Sequence, residues 1–241
     1  MNFLTVDQVS THRKGFAFKS KNLFTSGTPI VQISDFDESF VKTTKNFLNG
    51  KIDKGLFENW KLETNDILIS TVGSWESNPR SVVGKAVLID KYLKGALLNQ
   101  NIVRLRSIKN FDQIFLYYCF KTKKFRDHCI SSAQGSGNQA SITLKDIQSF
   151  EIPNLKYSDQ INIGKILKTF DQKILSNENK LQIYYDTIKF SYKSWFLNYD
   201  LYNENKKFFK INTKEKQLNL IDSNLGKIPK GWSVKKIGDI S

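Results

Sequence analysis

The sequence contains very little cysteine, histidine, proline and methionine. Among its 241 residues are two cysteines (Cys119 and Cys129), two histidines (His12 and His128), four prolines and one methionine. Two cysteines do not supply the disulfide framework of a small secreted domain. The cysteines and histidines together are too few, and wrongly spaced, for a zinc site. The composition therefore predicts a protein of a reducing compartment that holds no structural metal.

Long apolar runs and a secretory leader are also missing. The sequence has no run of about 18 or more apolar residues, as a transmembrane helix requires. Its opening, MNFLTVDQVSTHRKGF, does not show the basic segment and following apolar segment of a signal peptide. We therefore expect a cytoplasmic protein that does not contact a membrane.

The residues that common catalytic sites require are absent or wrongly placed. Two tripeptides, at 171–173 and 178–180, spell the carboxylate–x–lysine half of a metal-dependent nuclease motif. No proline precedes an aspartate, as the other half demands, so we interpret both as solvated helix faces. Gly135-Ser136-Gly137 lacks the third glycine of a dinucleotide-binding loop. No Asn-Pro-Pro-Tyr motif of an amino-methyltransferase is present, and the sequence predicts no enzyme.

Positive charge, by contrast, is in excess. Lysine and arginine number 37 against 23 aspartate and glutamate residues, which gives a formal net charge of +14. Such an excess is typical of proteins that bind a polyanion, most often nucleic acid. The alternative is a lysine-rich surface that is merely solvated.

Residues 1–150 show the pattern of a mixed domain, and we predict an α+β fold. Hydrophobic residues make up 39% of the chain, enough for a real core. Short apolar runs bounded by Gly, Asn and Ser predict strands at 28–33, 66–73, 81–90 and 101–106. Residues 112–129 carry apolar residues at helical spacing, among them Ile114 and Tyr117, and Asp112 is a suitable N-cap for one helix over this range.

From residue 157 the pattern becomes a heptad repeat. Apolar residues alternate in steps of four and three, which predicts a long helix that packs against another long helix. The positions of this seam are Ile163, Leu167, Phe170, Ile174, Asn177, Leu181, Tyr184, Ile188, Ser191 and Trp195. Asn177 is the kind of polar residue that fixes register or partner number, and Ser158 and Asp159 can cap the helix start. The helix could instead lie on its own domain, but the length of the stripe favours an intermolecular partner.

The last part of the chain contains a short repeat of its beginning. A polar, lysine- and asparagine-rich stretch at 200–224 has no strong period and is typical of a connector. It is followed by LGKIPKGWSVKKIGDIS, in which Ile237 corresponds to Val6 of the opening LTVDQVS, and Ile240-Ser241 to Val9-Ser10. The match is short, and it predicts that a second copy of the first domain would begin here.

Several basic segments contain no acidic residue, which suits contact with phosphates. Reading bases requires side chains with fixed donor and acceptor geometry on loops, such as Arg, Asn, Gln and Ser. As a group, the candidate DNA contacts are Lys19, Lys21, Ser74, Trp75, Asn78, Arg80, Lys85, Gln134, Asn138 and Gln139. Any one of them alone is more typical of a surface or turn residue.

Together these pieces resemble a known family. The chain runs through DILIS, VGKAVLID and LNQNIVRLR, a tyrosine-rich helix, GSGNQASITLKDIQSFEIPNL, a long helix ending SYKSWF, and LGKIPKGWSVKKIGDIS. This order resembles that of the specificity subunits of type I restriction–modification systems across essentially the whole chain. The most specific pieces are residues 135–137 leading into 142–147, residues 150–153 and residues 225–239.

The resemblance implies a non-catalytic protein that recognises double-stranded DNA. In this family each recognition domain reads half of a bipartite site, and long spacer helices hold two domains apart and dock the modification subunits. Those subunits carry S-adenosylmethionine and methylate adenine, while restriction subunits cleave after ATP-driven translocation. No cofactor is therefore expected on this chain. By this resemblance 1–150 would be the target recognition domain, 151–200 the spacer and dimerisation helix, and 201–241 a connector and the start of a second recognition domain.

The chain differs from the family pattern in length. A full subunit has two recognition domains and two spacer helices, whereas this sequence has one of each and resembles a half-length subunit. Two copies could pair in antiparallel fashion through the seam, as a homodimer that joins modification and, through them, restriction subunits. The alternative is a stand-alone DNA-binding coiled-coil dimer, a repressor or adaptor without a methyltransferase partner.

Overall fold

The computed structural model describes residues 2–41, 43–49, 55–75, 83–135, 139–197 and 220–239. The chain divides into two compact units, Met1–Gln172 and Lys173–Ser241. Strands and helices are mixed in the first unit, so the predicted α+β class is confirmed. Among the described helices, none combines the length and apolar character that crossing a membrane needs.

Short strands and helices make up the first unit. Its strands are β1 (Phe3–Thr5), β2 (Ser10–Lys14), β3 (Leu23–Phe24), β4 (Thr28–Val31), β5 (Asn46–Leu48), β6 (Ile67–Ser70), β7 (Val72–Gly73), β8 (Ala86–Leu88), β9 (Leu97–Leu98), β10 (Ile102–Ser107), β11 (Ala140–Ser141) and β12 (Glu151–Pro153). Its helices are α1 (Val6–Val9), α2 (Gln113–Phe120), α3 (Lys123–Ser132), α4 (Leu144–Gln148) and the start of α5 (Tyr157–Tyr192). The four predicted strand regions are confirmed in shorter form, as β4, β6 with β7, β8, and β10.

The main sheet is antiparallel, with the strand order β2-β10-β6-β8. On one face, Val103 and Leu105 of β10 join a hydrophobic cluster that includes Phe115 of α2. On the other face, Ile102 packs in a second cluster with Leu62. Burying one such side chain contributes about 1.5–3 kcal/mol. Because both faces of the sheet are covered, all four consecutive residues of β6 are buried.

A second sheet has the order β3-β5-β4-β9, in which β4 and β9 run parallel. Ile30 of β4, Leu48 of β5 and Leu97 of β9 are fully buried and form its small core. Two further strand pairs, β1 with β12 and β7 with β11, are antiparallel ribbons. The pairing of β1 with β12 places Phe3 opposite Pro153.

The prediction of one helix over 112–129 is wrong, because the chain forms α2 and α3 with a break between them. Asp112 is the N-cap of α2, as predicted, and its carboxylate accepts from the Phe115 amide at 2.7 Å. Thr122 is a second N-cap, accepting from the Phe125 amide at 3.3 Å. A side-chain cap satisfies an amide that helix continuation would otherwise bond, so the helix restarts there.

Helix α5 is 36 residues long and is followed by a π turn at Lys193–Leu197. At 1.5 Å per residue it spans about 54 Å. The predicted capping role of Ser158 and Asp159 is wrong, since both lie within the first turn. Asp159 instead places a negative charge near the positive end of the helix dipole, which is favourable. Residues 198–200 lie outside the described residues.

The first turns of α5 are fixed against the N-terminus of α2. Gln160 is 2% exposed; its Oε1 accepts from the Asp112 amide at 2.9 Å and its Nε2 donates to the Leu155 carbonyl at 2.9 Å. The Tyr118 hydroxyl donates to Asp171 Oδ2 at 3.0 Å. Burial raises the pKa of Tyr118, and the hydrogen bond to Asp171 raises it further. The phenol therefore remains a neutral donor that holds the helix.

The second unit contains a hairpin of β13 (Leu220–Ser223) and β14 (Gly226–Pro229), then a short 3₁₀ turn at Ile237–Asp239. The Lys236 amide donates to Asp239 Oδ2 at 3.3 Å. At the matching position of the sequence repeat, the Thr5 amide donates to Gln8 Oε1 at 2.9 Å. The two segments therefore share a turn, although Ile237 is 89% exposed and its counterpart Val6 is fully buried. Residues 201–219 and 240–241 lie outside the described residues.

We predict that Gly164→Ala will weaken the docking of α5. A Cβ at Gly164 would lie 2.9 Å from Asp112 Oδ1 and 3.1 Å from the Phe115 amide nitrogen, so the α2 cap must move. Overpacking of this kind costs about 1–3 kcal/mol, more than the roughly 1 kcal/mol that alanine gains over glycine inside a helix. Urea denaturation should show a net loss in the free energy of unfolding.

The matched control is Gly238→Ala, because a Cβ there meets no atom within 4 Å. This variant should keep the wild-type free energy of unfolding. An increase in stability on Gly164→Ala would contradict the close approach of α5 and α2.

Candidate nucleic-acid interface

Two of the loops singled out from the sequence leave the same two-stranded ribbon. Strands β7 and β11 pair with Gly73 opposite Ala140. One loop starts at Ser74 and the other ends at Gln139. These two loop ends therefore lie side by side, although they are far apart in sequence. Asn78, Arg80 and Asn138 were predicted on these loops and lie outside the described residues.

The loop before β11 is closed by paired main-chain hydrogen bonds. The Gln134 amide donates to the Ser141 carbonyl at 2.9 Å, and the Ser141 amide donates back at 2.8 Å. Gly135 has a φ of +154°, and a Cβ there would lie 2.1 Å from the Gln139 carbonyl oxygen. Only glycine fits this closure. The side chains of Gln134 and Gln139 are both exposed, and amides of this type can read base edges.

The neighbouring loop is held at its base. The Ser74 carbonyl accepts from the Val83 amide at 3.1 Å, which closes the loop. Trp75 is half-buried and packs against the main hydrophobic cluster. Its ring therefore stabilises the loop from the inside, a use of a large aromatic side chain that does not require a ligand.

Lys85 lies in a small cationic cavity. Its side chain is 14% exposed, and its ammonium is 3.9 Å from Glu38 Oε1. Lys121 and Arg126 line the same cavity. Lys121 donates to the Glu38 carbonyl; burial lowers its pKa, and the charge of Glu38 opposes that shift. Lys121 and Arg126 belong to one of the basic segments without acidic residues, and the structure adds them to Lys85 at this cavity.

Lys19 and Lys21 are exposed in another segment of the chain. They flank the first residue of a 3₁₀ turn, Ser20–Asn22. The chain before this turn is fixed by an aromatic cluster in which Phe16 contacts Phe18, Phe57 and Trp60, with ring centroids 5.0–5.2 Å apart. The two ammonium groups are therefore presented to solvent from a well-packed base.

The predicted seam of α5 is largely uncovered. Ile163 and Leu167 are half-buried and line an apolar cavity of about 310 Å³. The exposed seam residues are Phe170, Ile174, Asn177, Leu181, Tyr184, Ile188 and Trp195. The exposed fraction is 67% for both Leu181 and Ile188. Exposed apolar patches of this extent are typical of interaction surfaces.

Residues 1–183 match the family model of the type I restriction modification DNA specificity domain. The chain belongs to this family. The match covers well over half of the sequence, and the membership predicted from its motifs is confirmed.

This specificity domain is similar to two proteins of Methanocaldococcus jannaschii. It is 26% identical over 97% of its length to the MjaX specificity subunit of a type I restriction enzyme, of which it covers 50%. It is 27% identical over 52% of its length to the MjaIX specificity subunit, of which it covers 26%. The chain therefore spans about half the length, or less, of the curated relatives it matches.

Solved structures share its fold. The S subunit of a type I restriction–modification system from M. genitalium matches with a TM-score of 0.55 and 16% identity, over 82% of this chain and 46% of that one. The HsdS subunit from Thermoanaerobacter tengcongensis matches with a TM-score of 0.51 and 17% identity, over 74% of this chain and 39% of that one. At these identities the likeness establishes the architecture.

The helix of the specificity domain has a second apolar side that the heptad pattern did not predict. Ile183 and Phe190 are 61% and 70% exposed. Ile183 follows the seam residue Leu181 by two positions, and Phe190 follows Ile188 by two. With 3.6 residues per turn, each lies about 200° around the helix axis from that seam residue. A search for a second series at seven-residue spacing would have found this pair.

A further concentration of positive charge was also missed. A polar cavity of about 470 Å³ lies beside β2 and β10. It is lined by Arg13, Glu58, Asn59, Lys61, Glu63, Lys94, Gly95, Arg104 and Arg106. Five of these side chains are cationic and two are acidic. Arg13 lies in one of the basic segments without acidic residues, but the others come from distant parts of the sequence, so no local pattern brings them together.

The described residues do not form a metal-binding cluster. Within them, no three His, Cys, Asp or Glu side chains come close enough to hold a metal ion. Cys119 and Cys129 are buried, and burial raises the pKa of each thiol to about 12. Both are therefore neutral at physiological pH and contribute to the core as small apolar groups.

We predict that Gly135→Ala will open the loop before β11. The added Cβ clashes with the Gln139 carbonyl, so the amides of Gln134 and Ser141 lose their partners. A local loss of about 1.4 kcal/mol speeds exchange tenfold, and we expect at least that for both amides in hydrogen-exchange NMR.

Gly95→Ala serves as the control, because Gly95 also has a positive φ (+85°) but a Cβ there meets no atom within 4 Å. It should leave the exchange of these two amides unchanged. Wild-type exchange at Gln134 and Ser141 in Gly135→Ala would show that the loop closure is not as described.

Proposed function

We propose that this specificity domain is the DNA-recognition part of a type I restriction–modification complex and is itself not catalytic. The family match over residues 1–183 carries the proposal. The net charge of +14 and the exposed glutamines of the paired loops support it. Contacts to phosphate position such a protein on the duplex, whereas contacts to base edges specify the sequence.

In this proposal residues 1–150 read half of a bipartite site. Lys19 and Lys21 bind phosphates, and Gln134 and Gln139 approach base edges together with the loop that starts at Ser74. Lys85 contributes charge from its half-enclosed cavity. Asn78, Arg80 and Asn138 remain predictions on the same loops.

Helix α5 is proposed to pair with a second copy in antiparallel orientation. The seam is symmetric about Asn179, so antiparallel pairing sets Phe170 opposite Ile188 and Ile174 opposite Tyr184. Asn177 then faces Leu181 of the other copy on either side of the centre. The exposure of these apolar side chains supports a partner for this side of the helix. A two-fold dimer presents two recognition domains to a symmetric, interrupted DNA site.

The opposite side of the helix, at Ile183 and Phe190, is proposed to dock a modification subunit. Through modification subunits the complex would gain S-adenosylmethionine and the restriction subunits. The two apolar sides of the helix support two separate partners, because a helix with a single partner needs a single apolar stripe. Residues 201–241 would connect to further recognition structure, as the repeat around Ile237 suggests.

We predict that Leu181→Lys abolishes the homodimer. Wild-type chain should give a solution mass near twice 27.9 kDa by size exclusion with light scattering. A lysine at the seam places two like charges beside the dimer centre, so the variant should elute as a monomer.

The control is Gln182→Lys, which adds the same charge at the next residue, outside the seam. This variant should remain a dimer. A monomeric wild-type protein would contradict homodimerisation and leave the seam to another chain.

We predict that the helix sets the gap between half-sites. Seven residues inserted between Asn177 and Leu181 keep the heptad register and lengthen the helix by about 10.5 Å. At about 3.4 Å per base pair, the gap should grow by roughly three base pairs. The assay combines the chain with its modification subunit and maps the methylated adenines on plasmid DNA.

An unchanged gap would contradict the ruler role. Gln182→Lys, which leaves the helix length unchanged, is the control and should preserve the wild-type gap. DNA binding without methylation, and without co-purification of a modification subunit, would favour the stand-alone DNA-binding dimer.

A further inference from the structure

Two arginines face each other across the edge of the main sheet. The register of β2 with β10 places Arg13 directly opposite Arg104. Residues opposite each other in an antiparallel pair project from the same face, with Cβ atoms about 4.5–5.5 Å apart, and like charges there are destabilising. Arg13 is exposed and Arg104 is half-buried. The sheet therefore holds two positive charges together at the protein surface.

The acids around this pair are already engaged. Within the described residues, the ion pairs of the cavity join Arg106 to Asp66 at 2.5 Å, Lys61 to Glu58 at 2.6 Å and Lys94 to Glu63 at 3.1 Å. Among the residues that the structure describes, Arg13 and Arg104 take part in no ion pair. The Arg104 Nε is buried and makes no hydrogen bond to a described residue. Positive charge thus remains in excess beside the cavity.

The guanidinium of Arg104 is held in place by the main chain. Its Nη1 donates to the Lys61 carbonyl at 3.1 Å and to the Asn59 carbonyl at 3.5 Å. The 3₁₀ turn that supplies these carbonyls is fixed by Trp60, whose Nε1 donates to the Lys14 carbonyl at 3.0 Å. Burial lowers the pKa of Arg104, the charges of Arg106 and Arg13 lower it further, and the charge of Asp66 opposes this shift. The group is oriented before any ligand arrives, and Asp66 compensates its charge only in part.

We propose that Arg13 and Arg104 form a binding site for one phosphate group, which duplex DNA supplies from its backbone. An oxyanion between the two guanidinium groups would neutralise their repulsion and accept several charge-assisted hydrogen bonds. The cavity of about 470 Å³ is polar and holds more cations than acids, which suits a phosphodiester and not an apolar group. Its assignment to DNA rests on the proposed function.

The first arm of the test compares duplex binding by the full chain and by Arg13→Gln over a range of salt concentrations. A mixed-sequence duplex is the probe, since phosphate contacts do not depend on base sequence. Each phosphate neutralised contributes about −0.9 to the slope of log affinity against log salt concentration. Arg13→Gln should lose about that amount, whereas Lys109→Gln, an exposed lysine that does not line the cavity, should keep the wild-type slope.

The second arm does not involve DNA. Replacing chloride by inorganic phosphate at equal ionic strength should raise the thermal midpoint of the wild-type chain more than that of Arg13→Gln. In chloride alone, Arg13→Gln should be as stable as wild type or more stable, because it removes one of two facing like charges. A purely structural arginine would give the opposite result, a loss of stability in both buffers.

The outcomes separate the site from the proposed function. Equal slopes and equal phosphate shifts for wild type and Arg13→Gln would overturn the site. Failure of the wild-type chain to bind duplex would overturn DNA as the source and count against the proposed function. In that case a phosphate shift that Arg13→Gln loses would still support an oxyanion site at this pair.

Discussion

The first unit depends on one strand that is buried from both sides. β10 pairs with β2 on one side and with β6 on the other. It supplies Val103 and Leu105 to one hydrophobic cluster and Ile102 to the other. A slip of one residue would exchange the two faces and move a charged side chain into the core. The register is therefore fixed by packing. The same register sets Arg104 opposite Arg13, so the surface charge of this edge follows from the way the interior is filled.

Asp112 links two parts of the molecule with different proposed roles. Its carboxylate caps α2, and its amide is bonded by Gln160 of α5. The start of the helix that we propose to bind partners is thus attached to the N-terminus of a helix that packs on the main sheet. Gly164 permits the close approach at this point.

Features that depend on local sequence could be predicted, and those that depend on distant pairing could not. The long helix and the N-cap at Asp112 were readable because heptad spacing and capping act within a few residues. The break at Thr122 was missed although its cap is also local, because the apolar pattern continues across it. The proximity of Ser74 to Gln139, and of Arg13 to Arg104, arises from pairing between residues far apart in sequence. A single sequence contains no signal for such registers.

The ribbon of β1 and β12 has a consequence for how such a domain can be reused. Phe3 lies opposite Pro153 and Thr5 opposite Glu151, so the segment between these strands begins and ends at one place. A fold whose two ends are neighbours can be spliced into another polypeptide without forcing the flanking segments apart. The chain before residue 3 and the chain after residue 153 would keep nearly the same relative position if the segment between β1 and β12 were exchanged. The ribbon thus allows the segment between β1 and β12 to be replaced as one unit while the flanking chain keeps its geometry.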